Sequence, residues 1–149
     1  MEDEEETYHL IDLRCPENDY EGGWIDADAK MFYACFKILR EFVEEELPHA
    51  YTDWEHEEET RRVRKEIQDL YDWWTAGRKA AHDALDRLCE AIPGHPLEFV
   101  PVPGKTFFTL STEKSDPRWQ AVLDETLRLE EEDSAMLERL LRLRGYLWT

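Results

Sequence analysis

At 149 residues the chain is long enough for one domain that buries roughly 70% of its unfolded surface, and 42% hydrophobic residues can supply the core. Acids outnumber bases 36 to 18, a formal charge of −18, and residues 1–60 hold 20 of those acids against 4 bases. Such a field repels nucleic acid and anionic membranes and attracts basic surfaces, which argues against direct nucleic-acid binding and for a basic protein partner.

Cys15, Cys35 and Cys89 are odd in number and widely spaced, which fits neither a disulfide framework nor a zinc site. With no signal peptide and no bilayer-spanning apolar run, the expected compartment is a reducing cytoplasm.

The opening "MEDEEET" lacks apolar anchors and reads as a flexible acidic tail over residues 1–7, followed by a single globular domain over residues 8–149. "YHLIDLRCP" is rich in β-formers, and the glycines of "EGGW" suit a tight turn, so residues 8–25 read as a small hairpin. The first strong helix is expected over residues 27–47, with Asp26 or Asp28 as N-cap and Pro48 past its end. Met31, Phe32, Cys35, Phe36, Ile38, Leu39, Phe42 and Val43 cover more than one stripe, which predicts the most buried helix of the fold.

"TDWE" has the capping-box spacing at Thr52 and Glu55, predicting a second helix over residues 53–75. Glu57 with Arg61 and Glu58 with Arg62 stand at i,i+4 spacing, and Val63, Ile67, Leu70, Tyr71 and Trp74 make one apolar stripe. A third helix is expected over residues 78–92, stopped by "PGHP". "LEFVPVPGKTFFTLS" reads as a hairpin whose prolines permit only edge positions. Asp116 and Pro117 then open a last helix to Arg144, bent near "EEEDS" at residues 130–134. Gly145 is expected as a left-handed C-cap that returns Tyr146, Leu147 and a mostly buried Trp148 onto the core. The fold class is mainly α, a compact bundle of about four helices with one small β-hairpin or short sheet.

"MFYACFKILREFVEEE", "DWEHEEETRRVRKEIQDLYDWW", "LRLEEEDSAML" and "LRLRGYLWT", about half the chain, resemble a family of small uncharacterised proteins of tailed bacteriophages. "LYDWW" and "RGYLWT" are the more specific parts. The opening "MEDEEET" and the "TAGRKA" after "DWW" depart from the family's pattern. The resemblance implies a phage origin and a host-cytoplasm setting, and brings no catalytic residues with it.

Two readings compete for the acidic pairs Glu41-x-x-Glu44 and Glu66-x-x-Asp69. Spacing of three places both carboxylates of a pair on one helix face, and two facing pairs resemble the Mg²⁺ site of MazG-like nucleoside triphosphate pyrophosphohydrolases. Against it, the 23 Glu of so acidic a chain generate about five or six such spacings by chance. The Ser and Cys residues sit in no nucleophile elbow, and "VPGKT" lacks the earlier glycine of a phosphate loop. The leading expectation is therefore a non-enzymatic acidic protein, DNA-mimic-like, that binds a basic host protein or nucleoprotein complex and inhibits nucleic-acid processing or defence. Glu44, Glu45, Glu46, Asp53, Glu55, Glu57, Glu58 and Glu59 supply its field, with Trp54 and Trp73 as apolar anchors.

Overall fold

The computed structural model describes residues 26–147, so the acidic tail, the hairpin at residues 8–25 and the burial of Trp148 lie outside the described residues. The chain is mainly helical with one two-stranded antiparallel sheet. It divides into two compact units, one made of the chain up to Trp74 together with the chain from Met136, the other of Thr75–Ala135. None of the helices among the described residues is long and apolar enough to cross a membrane.

In the first unit, α1 (Ala27–Glu41) begins after Asp26, whose carbonyl accepts the first helical bond from Lys30 N–H at 3.0 Å. The helix then widens into a π-helical turn, Phe42–Glu46, and tightens into a 3₁₀ turn, Leu47–His49, that contains Pro48. An α-helix would turn residues five apart by about 140° from one another. The π turn, closed by Leu47 N–H on Phe42 C=O, instead lets Phe42 and Leu47 both enter the core. The buried face is narrower than the composition of α1 suggests, because Met31 and Ile38 are exposed.

α2 (Glu58–Asp72) starts later than expected. Its cap pairs Glu57 with Thr60, whose hydroxyl accepts Glu57 N–H at 3.3 Å and donates to Glu57 C=O at 2.9 Å. Thr52 and Glu55 do not form the capping box, because Asp53 Oδ1 takes Glu55 N–H at 3.0 Å and folds residues 53–55 into an Asx turn. The predicted stripe is real at its centre, since Val63, Ile67 and Leu70 are buried. They meet Phe36, Leu39, Phe42, Leu47, Trp54, Leu140 and Leu143 in one cluster. Each fully buried side chain of that size contributes about 1.5–3 kcal/mol.

The backbone does not stop after α2. A π-helical turn, Trp73–Gly77, carries it into α3 (Arg78–Glu90), so the second and third expected helices form one helical run over residues 58–90. Counted that way, the described residues hold three helices rather than about four.

In the second unit, α3 is followed by β1 (Glu98–Pro101) and β2 (Phe108–Ser111), paired from Glu98 with Ser111 to Pro101 with Phe108. Gly104 at φ +71° makes the turn between them. α4 (Arg118–Leu143) then runs without the expected interruption at residues 130–134. Its acids are held in place: Arg128 grips Glu125 and Glu132, and Asp133 takes a two-pronged bond from Arg78, both at 2.9 Å. Beyond Leu143 the chain makes a 3₁₀ turn, Arg144–Tyr146. Gly145 is not left-handed, a correction to the expected cap, and Tyr146 and Leu147 pack on the first unit's core as anticipated.

Candidate functional site

The most distinctive surface lies at residues 41–60, where nine carboxylates stand without a single Lys or Arg. Glu44, Glu45, Glu46, Asp53, Glu55, Glu57, Glu58 and Glu59 are all exposed. Their support is rigid, because Leu47, Trp54 and Val63 anchor the connecting segment and the start of α2 in the core.

The acids differ in how well their position suits them. Glu58 and Glu59 occupy the first turn of α2, where free N–H groups favour negative charge. Glu44, Glu45 and Glu46 sit in the π-helical turn near the end of the first helical run, where exposed carbonyls disfavour negative charge, and that turn holds no Lys or Arg. Glu44 is compensated: Tyr71 Oη donates to it at 2.8 Å and Arg40 Nε at 2.9 Å, which together hold its carboxyl below the usual range. Tyr71 is pushed up by the same bond. Glu59 accepts a hydrogen bond from the Tyr146 hydroxyl, which raises the phenol's pKa. Among the described residues the expected ion pairs Glu57–Arg61 and Glu58–Arg62 are not found, and both acids are exposed.

The aromatic anchors require a correction. Trp54 is only 9% exposed and belongs to the core, with its indole N–H unpaired among the described residues. Trp74, expected in the apolar stripe, and Trp73, expected as an anchor, are both half-buried against Phe36, at ring distances of 4.9 and 5.3 Å. The aromatic that does stand free in the acidic segment is Tyr51, fully exposed between the 3₁₀ turn and the Asx turn. Its signal in the sequence is faint: an aromatic placed between Pro48 and the turn-forming Asp53, in a segment with no apolar periodicity.

Three of the four carboxylates of the metal reading, Glu44, Glu66 and Asp69, are engaged by basic or phenolic side chains. Glu66 takes two bonds from Arg139, at 2.6 Å from Nε and 3.0 Å from Nη2, and these hold its carboxyl below the ordinary range. Asp69 pairs with Lys65 at 2.5 Å, and Glu44 with Arg40 and Tyr71. No group of three or more His, Cys, Asp or Glu that could hold a metal ion is found among the described residues.

The second unit has a cavity of about 570 Å³ lined by Leu97, Thr112, Trp119, Val122 and Leu123. Its one carboxylate, Asp116, is pulled down to about 2, first by the side-chain hydrogen bond from Arg118. Compared with known proteins, the chain matches no family model, no curated protein and no solved structure.

Proposed function

We propose that this is a non-enzymatic accessory protein of a tailed bacteriophage that binds a basic surface in the host cytoplasm. Its target is a host protein or nucleoprotein complex whose groove normally takes nucleic acid, in processing or in defence, and the carboxylates stand in for phosphates. The supporting observation is the crowding of nine carboxylates without a Lys or Arg over residues 41–60, with Glu45 and Glu46 at a helix end that disfavours negative charge. Charge needed only for solubility could sit anywhere on the surface, whereas charge kept against local stability marks a selected use. Tyr51 supplies the apolar contact, because it is a fully exposed aromatic within the acidic segment and tyrosine is enriched at interface hot spots.

The test is retention of host proteins on immobilised protein at low and moderate salt, with double-stranded DNA as competitor. Retained basic proteins should be released both by salt and by DNA. A Glu45→Lys, Glu55→Lys, Glu58→Lys triple variant should lose them, and Tyr51→Ala should weaken them with the salt dependence unchanged. The proposal falls if no basic protein is held at low salt, or if the charge reversal leaves retention intact.

A further inference from the structure

The hairpin carries a second surface of opposite character. Val102 N–H donates to Phe107 C=O at 3.4 Å, and bonded pairs alternate along an antiparallel ladder. With the register of β1 and β2, this turns the backbone groups of Phe99, Pro101, Phe108 and Leu110 outward, away from the partner strand. Cross-strand partners share a face, so these four side chains also lie on one side of the sheet. That side is open, with Phe99, Phe108 and Leu110 respectively 72%, 61% and 54% exposed.

The two edges are not equivalent. On β1, Pro101 has no N–H to offer and Pro103 follows it. On β2, residues 106–112 read "TFFTLST", a stretch with no proline and no charge, bounded by Lys105 and Glu113. Both outward residues of β2 can donate and accept. An uncharged edge rich in β-formers is a template for another strand.

We propose that β2 pairs with β2 of a second copy of this chain, antiparallel across a two-fold axis at Thr109. Phe108 then faces Leu110 of the other copy through about four backbone hydrogen bonds. The result is a four-stranded sheet in which the Phe99, Phe108 and Leu110 faces run together. Charge selects the occupant. Two chains at −18 repel over most of their surface, yet residues 93–115 hold two acids and two lysines and are neutral. Pro101 on each outer edge ends the sheet, so the association closes at a dimer instead of growing into fibres.

Two four-residue edges bury far less than the roughly 800 Å² per partner of a standard interface, so the dimer is weak. Salt screens the repulsion between copies and strengthens it, opposite in sign to the acidic surface's binding of a basic partner. The experiment is sedimentation velocity of the full chain from micromolar to near-millimolar concentration, at low salt and about 0.5 M NaCl. The dimer fraction should rise with both variables. Leu110→Lys keeps every backbone donor and places like charges near the two-fold axis. Leu110→Pro removes only an outward N–H. Each should weaken dimerisation at least about tenfold, with the circular dichroism spectrum unchanged. A monomer under all conditions, a dimer indifferent to both substitutions, or assembly beyond the dimer would each overturn the proposal.

Discussion

The two units handle their apolar residues in opposite ways. The first gathers ten buried side chains into one cluster and turns its charges outward, including the acids of residues 41–60. In the second, Ile92 and Leu129 are buried, while Phe99, Phe107, Phe108, Leu110, Leu123 and Leu127 stand exposed. Its most buried charged residue, Arg78, is held by Asp133. The lesson is that hydrophobic content alone does not locate a core. The first unit has helices whose apolar stripes can face one another, whereas the second has a hairpin with an uncovered face.

The largest effect should come from the centre of the first core. Phe36 is fully buried and stacks against Trp74, so Phe36→Ala should lower stability by about 3–5 kcal/mol in a denaturant melt. Amide exchange of the same variant sharpens the contrast, since faster exchange confined to the first unit would show that the second opens independently. Next is the second unit's polar tie. Arg78→Ala leaves Asp133 without its two-pronged partner in a largely buried place and should cost about 2–3 kcal/mol, with the exchange of α3 rising most.

A smaller effect belongs to Glu66 and Arg139, which are about one-third exposed. Glu66→Gln should cost about 1 kcal/mol at neutral pH. Because the carboxyl is held below its usual range in the folded protein, its contribution is full above the ordinary carboxylate pKa and disappears as pH falls through the folded value. Melts of wild type and Glu66→Gln should therefore converge in acid. Convergence at high pH instead would contradict the assigned pairing. The smallest effect, a gain, is expected at Gly145. Its φ is not positive and a Cβ would meet open space, so Gly145→Ala should raise stability by about 0.4–1 kcal/mol. A loss there would restore the left-handed cap that the structure lacks.

Much of the architecture was legible because its signals are local. The stripe Val63, Ile67, Leu70 marked a buried helix face, Asp116 with Pro117 marked the start of α4, and the proline-flanked β-formers marked the hairpin. The candidate site was legible by composition only. The acidic surface was visible in the counting of charges, but Trp54, expected to stand on it, is buried, and the exposed aromatic of that segment is Tyr51. An indole beside an Asx turn is buried or exposed according to what residues 47 and 63 do, and that is not a local property.

The sequence by itself determined the helical class, the excess and placement of negative charge, and the sites of the main turns, because periodicity, charge and backbone restriction act within a few residues. Only the tertiary structure decided the rest. It fused α2 and α3 through a π turn, a choice between similar backbone conformations that packing makes. It gave Glu66 to Arg139, 73 residues away, because only the fold brings that guanidinium within hydrogen-bonding reach. It left the face of β1 and β2 open, because whether an apolar strand is covered depends on what the rest of the chain can lay over it.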